Sequence, residues 1–265
     1  MSKLVFGFVP VLALVGCSGS TQNSVDATLT TAIDARPFDA ATSVDAAALA
    51  ACGAGPYMHY TGTTIIREKT GGEPPLADVA IRLDECPSIQ LTSDAFGVYQ
   101  IDLAKLSPMT FELTKPLYIP LILQTYQFPE IAGFDSFADT VSLRLASEWA
   151  TPQFMPGFDS THGYLLVSMG FSGPAPCDTA AGVVITLPNH PEATVHYMTG
   201  FPAMEDPTLM ATDTSGQAYV SGITPGVLAE GDLVMTKSGC LTRGSKAYRI
   251  AAGAMTRALN SVYGP

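Results

Sequence analysis

Positive charge is what this chain has least of. Thirteen Lys and Arg against 24 Asp and Glu leave a net charge of −11. That balance excludes a nucleic-acid partner, because phosphate binding requires clustered Lys and Arg. Long apolar runs are also missing: the stretch from Leu4 to Val15 is shorter than the roughly 20 residues needed to cross a bilayer. There is no H-E-x-x-H pair, no Gly-rich phosphate loop and no dinucleotide fingerprint. The cysteines are spaced far from C-x₂-C, so a zinc site is not expected. No metal, no cofactor and no catalytic residue is therefore assigned from motifs.

Hydrophobic residues make up 47% of the chain and charged ones only 14%, enough to bury one large core or two small ones. Twenty-four Gly and 20 Pro, interspersed with Val, Thr, Tyr and Phe, favour many short strands over long helices. The expected class is all-β. At the start, Lys3, the apolar run to Val15 and small Gly16 have the outline of a secretory signal peptide over residues 1–16.

Leu14-Val15-Gly16-Cys17 resembles the lipobox of bacterial lipoproteins. The resemblance implies diacylglycerol transfer to the Cys17 thiol, cleavage before Cys17 and acylation of the new amino terminus. Each buried CH₂ contributes about 0.8 kcal/mol, so two or three chains anchor stably in a lipid bilayer where one does not. Ser18 after the lipidated Cys implies, within that family, sorting to the outer membrane of the cell envelope. Residues 17–51 then carry one aromatic side chain, few large aliphatics and Asp at 26, 34, 39 and 45. Such a composition cannot offset its ordering entropy and reads as a flexible tether.

Order is expected from Cys52. Strand-like segments fill residues 52–128, a connector follows over 129–162, and a second strand-rich segment runs over 163–265. Within the connector, Val141, Leu145 and Trp149 fit one helical face, with Asp135 or Asp139 as cap and Pro152 as stop. Two features recur in order: "PLADVAIRL" with "AGVVITL", and "TSDAFGVYQI" with "ATDTSGQAYVSGI". Asp94 with Gly97, and Asp213 with Gly216, read as turns in which the carboxylate bonds nearby amides and Gly supplies positive φ. Tyr99 follows its Asp by five residues and Tyr219 by six, so the two Tyr need not share a face.

A small-residue strand followed by T-x-D-x-x-G-x-Y is similar to carboxypeptidase regulatory-like modules. What that resemblance implies is two transthyretin-like or Ig-like β-sandwich modules joined by a short helical connector, accessory or adhesive and not themselves catalytic. With Cys17 lipidated, Cys52 and Cys86 fall in the first module and Cys177 and Cys240 in the second, one disulfide per module in an oxidising compartment. Tyr118, Tyr126 and Phe128 are candidates for an exposed aromatic binding surface.

The chemistry-bearing residues are otherwise scattered. "GFSGP" departs from a nucleophile elbow at Pro174, leaving Ser172 as a turn serine. His196 lies on a strand and His190 in the turn before it. Intradiol ring-cleaving dioxygenases use a related sandwich with two Tyr and two His on iron, but their ligand pairs are more tightly spaced. The carboxylates of "LDE" and "MEDP" lack the alternation of a calcium loop. The expected function is a non-catalytic, tethered envelope lipoprotein that binds an envelope protein or glycan. An envelope enzyme, either hydrolase or metal-dependent oxygenase, and a purely structural surface lipoprotein are the alternatives.

Overall fold

The computed structural model describes Gly53, residues 55–243 and residues 247–264. The expected signal peptide, Cys17, the tether and Cys52 lie outside the described residues. The first half contains β1 (Tyr57–Ile66), β2 (Ala80–Leu83), β3 (Gln90–Thr92), β4 (Val98–Ala104), β5 (Phe111–Thr114), β6 (Leu121–Leu123) and β7 (Ser136–Leu143). One helical turn, α1 (Ala146–Trp149), follows. The second half contains β8 (Gly163–Ser172), β9 (Val184–Thr186), β10 (Thr194–Thr199), β11 (Met204–Glu205), β12 (Gln217–Ile223) and β13 (Gly226–Leu228). It ends with β14 (Val234–Thr236), β15 (Leu241–Arg243), β16 (Tyr248–Ile250) and β17 (Met255–Tyr263). The class is all-β.

The two halves repeat one arrangement. β1 pairs antiparallel with β4 and parallel with β7; β8 pairs antiparallel with β12 and parallel with β17. Facing each trio lies a strand that begins at a small-residue turn: β2, antiparallel to β5, and β9, antiparallel to β14. The difference lies at the last strand. β17 also pairs, in parallel, with β6 of the first half, so one ladder runs β11-β10-β12-β8-β17-β6-β5-β2-β3 through both halves.

That fusion sets the burial patterns. β4 alternates, with Tyr99, Ile101 and Leu103 inside and Gln100 and Asp102 outside, as a strand with one wet face must. β8 does not alternate: Tyr164, Leu165, Leu166 and Val167 are all buried. Tyr164 and Leu166 enter the core shared with the first half, whereas Leu165 and Val167 enter the second core. A continuous apolar run is what a strand covered on both faces requires.

The connector departs from its expected form. Residues 136–143 are strand β7, and helix is confined to α1. A spacing of four is even, so Val141 and Leu145 share a strand face as readily as a helical one. The parallel ladder to β1 satisfies the β7 backbone and decides the matter, and Val141 and Leu143 then point into the first core. Trp149 packs at the junction, its Nε1 donating to the Arg67 carbonyl at 2.8 Å and its ring 5.2 Å from the Arg144 guanidinium.

Candidate functional site

The paired Asp and Gly build turns. Asp94 Oδ1 accepts from the amides of Phe96 at 2.9 Å and Val98 at 2.8 Å, and the Gly97 amide donates to the Asp94 carbonyl at 2.9 Å. In the second half Asp213 Oδ1 accepts from the Ser215 amide at 2.7 Å, and the Gly216 amide donates to the Asp213 carbonyl at 3.1 Å. Gly97 and Gly216 have φ of 74° and 64°. A Cβ at Gly97 would lie 2.2 Å from the Thr64 carbonyl oxygen, and one at Gly216 would lie 2.5 Å from the Ala180 Cβ.

The residue before each Asp extends the match. Ser93 Oγ accepts from the Val79 amide at 3.0 Å and donates to the Leu76 carbonyl at 2.9 Å. Thr212 Oγ1 accepts from the Val183 amide at 3.0 Å and donates to the Ala180 carbonyl at 2.6 Å. Ahead of those valines, Asp78 and Gly182 both take positive φ, 53° and 81°. Asp94 Oδ1 is therefore spent on backbone, and Asp213 on the Ser215 amide and the Ser215 and Thr199 hydroxyls. Tyr99 and Tyr219 part company as their offsets require: Tyr99 enters the core of its own half, whereas Ala218 does so in the second half and Tyr219 turns to the opposite face.

Cys177 and Cys240 form a disulfide with Cα atoms 5.7 Å apart. Cys86 is disulfide-bonded as well; the pairing expected for Cys52 lies outside the described residues. The aromatic surface needs correction. Tyr126 and Phe128 are only 8% and 5% exposed and stack on each other at 5.5 Å within the first core, against which the half-buried Tyr118 also packs. Their run carries no charge, and the bridge of Tyr126 to Met109 turns it inward. No flat platform is left for a ligand there.

Two polar groupings tie the halves together. Tyr126 donates to Asp139 Oδ2 at 2.6 Å, and Arg257 from β17 donates to the same carboxylate and, at 2.7 Å, to the Tyr126 oxygen. Burial raises the Tyr126 phenol above its ordinary range, and the Asp139 charge adds to that effect. Arg249 Nη1 lies 2.7 Å from both Asp84 and Glu112, and Arg82 lies 2.5 Å from Glu112. Burial raises the Asp84 carboxyl. At Glu112 burial acts the same way but is outweighed by hydrogen bonds from Arg249 and Arg82, so its carboxyl is held low. Beside this network, a half-open groove of about 370 Å³ crosses the outer face of β5, β2 and β3 between Arg82, Gln90, Thr92 and Thr114.

The four histidines differ in what their two ring nitrogens meet. His59 Nδ1 faces Asp102 at 2.9 Å. Asp159 and Thr161 both meet Nδ1 of His162. His190 lies between Glu192 and Asp232. His196 has Glu205 Oε1 2.7 Å from Nδ1 and Ser221 Oγ 2.9 Å from Nε2. A hydroxyl, an imidazole and a carboxylate are thus joined in line across β12, β10 and β11. Among the described residues, no group of three or more His, Cys, Asp and Glu could hold a metal ion. Ser172 stands at the exposed end of β8.

Sequence reading missed Ser221 and weighed Glu205 only as a calcium ligand. The trio comes from three separate strands, and its assembly depends on ladder register: Thr194 opposite Ser221, His196 opposite Tyr219, Met198 opposite Glu205. The local signal was slight, a Ser-Gly pair inside an otherwise apolar strand.

No protein-family model matches the sequence, and comparison with curated proteins finds no match either. Among solved structures, the chain is similar to the shaft pilin SpaA of Lactobacillus rhamnosus GG, at 12% identity and a TM-score of 0.27 over 79% of this chain and 99% of that one. It is similar also to GBS52, the minor pilin of Streptococcus agalactiae, at 12% identity and a TM-score of 0.23 over 78% and 96%. The 3-chlorocatechol 1,2-dioxygenase of Rhodococcus opacus 1CP matches at 11% identity and a TM-score of 0.26 over 35% of this chain, which covers less than two thirds of the dioxygenase, 61%. Likenesses of this size do not reach function, and the all-β class is set by the chain's own strands.

Proposed function

We propose that the chain is a lipid-anchored protein of the bacterial cell envelope, probed by its surroundings through a β-sandwich body held on a flexible tether. In this reading the body has two carboxypeptidase regulatory-like modules that bind an envelope protein or glycan. The observation that carries the reading is the order of parts: the lipobox-like Leu14-Val15-Gly16-Cys17, then the Asp-spaced, apolar-poor segment to residue 51, then strands from Tyr57 onward. Acyl chains at Cys17 anchor one end, and a coil of that length spans on the order of 30 Å, clear of the headgroups. The repeated Asp turn with its hydroxyl staple supports a duplicated module.

The anchor is tested with a Cys17→Ser variant. Intact mass should lose the acyl chains, and the protein should leave the membrane fraction; an unchanged acylated, membrane-bound product would refute the anchor. Binding is tested by cross-linking on intact cells, with a single envelope protein or glycan expected in the adduct. Recovery of uncross-linked protein alone would refute the binding role.

A further inference from the structure

A Ser-His-Glu line, buried at Ser221 and part-buried at His196 and Glu205, is more than a sheet of this kind needs to satisfy its backbone. We infer that Ser221 is a nucleophile activated by His196 for acyl transfer, kept beneath a narrow backbone cover at Pro156 and Gly157. The site is independent of how the chain is anchored.

Tautomer logic gives the line its direction. An ionised Glu205 can only accept, so Nδ1 of His196 carries the proton toward it at 2.7 Å. In the neutral ring Nε2 is then the acceptor, and the Ser221 hydroxyl donates to it at 2.9 Å. This is the order in which a base takes a proton from an attacking oxygen while a carboxylate orients the base. The other three histidines lack it, as each meets carboxylates alone or has both partners on one nitrogen.

The backbone around Ser221 is built for the purpose. The ladder between β12 and β8 breaks register between Val220 and Ile223, and Gly222 has φ of 76°. Such an irregularity re-aims a side chain out of the pleat. Cross-strand from His196, the buried Tyr219 hydroxyl has no hydrogen-bond partner among the described residues. It is an uncommitted donor on the residue paired with His196 across the ladder.

Gly157 lies close over Ser221. Ser221 is only 4% exposed, and a Cβ at Gly157 would lie 2.4 Å from its Oγ and 3.4 Å from His196 Nε2. The cover is tied by the Tyr164 hydroxyl on the Pro156 carbonyl at 3.1 Å. With Gly157 this near the Ser221 Oγ, the substrate class is a small ester.

The chemistry closes without a co-reactant other than water. The Ser221 proton passes to His196 Nε2 as Oγ bonds the acyl carbon; the ester C–O bond breaks, and the alcohol leaves with that proton. Water then cleaves the Ser221 ester by the same route, releasing the acid and restoring the hydroxyl. Ser221 and His196 are the catalytic residues, and Glu205 is a positioning residue.

The test uses the full folded chain and a small fluorophosphonate probe, read by intact mass and by peptide mapping. One adduct is expected, on Ser221, absent in Ser221→Ala. Labelling should slow at least 100-fold in His196→Gln and about 10-fold in Glu205→Gln. The wild-type labelling rate should depend on pH, and the His196→Gln rate should not. Ser221→Cys keeps a side chain of similar size, and its thiol should react with iodoacetamide faster than in a Ser221→Cys/His196→Gln double variant. No adduct on Ser221, an adduct formed equally well without His196, or one formed only in denaturing urea would overturn the inference. Membrane release of the Cys17→Ser variant is read separately, so failure of the anchor and failure of the site are distinguishable.

Discussion

Replacing Thr212 with Val keeps the volume and β-branching of the side chain but removes the hydroxyl that joins two strands. In the wild type that hydroxyl accepts from the Val183 amide at 3.0 Å and donates to the Ala180 carbonyl at 2.6 Å. Val183 and Ala180 are both buried, so water does not readily replace either bond. A buried group left unpaired costs about 1–3 kcal/mol, and two such groups set the expected loss at about 2–6 kcal/mol. The matching Ser93→Ala change should cost less, about 1–3 kcal/mol. There the Val79 amide loses its partner, but the Leu76 carbonyl keeps the Thr64 hydroxyl at 2.6 Å. The assay is equilibrium unfolding in urea with disulfides intact, followed by the fluorescence of the single Trp, Trp149, and by far-ultraviolet circular dichroism. Thr212→Ser, which retains the hydroxyl, serves as control and should stay within about 1 kcal/mol of wild type. A Thr212→Val protein within about 0.5 kcal/mol of wild type, or a larger loss at Ser93, would refute the staple argument.

Three further outcomes are expected. Arg257→Met should destabilise by about 3–5 kcal/mol in the same unfolding assay, because it strands the Asp139 carboxylate in a buried contact between the halves; a change below about 1 kcal/mol would show that Tyr126 alone suffices. Gly97→Ala should cost more than Gly216→Ala, each beyond the 1–2 kcal/mol or so of a left-handed residue, since the first brings a Cβ to 2.2 Å from a backbone oxygen and the second to 2.5 Å from the Ala180 Cβ; equal melting temperatures would contradict this. Asp213 is held below its ordinary range: burial raises its carboxyl, but hydrogen bonds from Ser215 and Thr199 outweigh burial. Its contribution is therefore complete at neutral pH and is lost as acid carries the pH down through the depressed value; Asp213→Asn should flatten that part of an acid-unfolding curve, and an unchanged slope below pH 4 or so would argue against it.

Local chemistry was legible where neighbours in sequence are neighbours in space. The Asp94 and Asp213 turns depend on amides two to four residues on, and each Gly is demanded by its own φ. The recurring "PLADVAIRL" holds β2, in which Ile81 and Leu83 are buried and Arg82 is exposed. Ambiguity entered where a pattern served two structures. Val141 and Leu145 suited helix or strand alike, and only the β1 ladder chose. Tyr126 and Phe128 suited platform or core, and the choice fell to the strands that cover them.

By itself the chain's composition and punctuation determined an all-β body, short strands, and a turn repeated twice, because Gly, Asp and β-branched residues act on their own backbone within a few positions. Tertiary structure alone decided that β17 joins both halves in one sheet. It alone decided that Arg257 reaches Asp139, and that Ser221, His196 and Glu205 meet in line. Each of those contacts depends on strand register, which couples residues far apart in sequence and shifts every side chain to the opposite face when it slips by one.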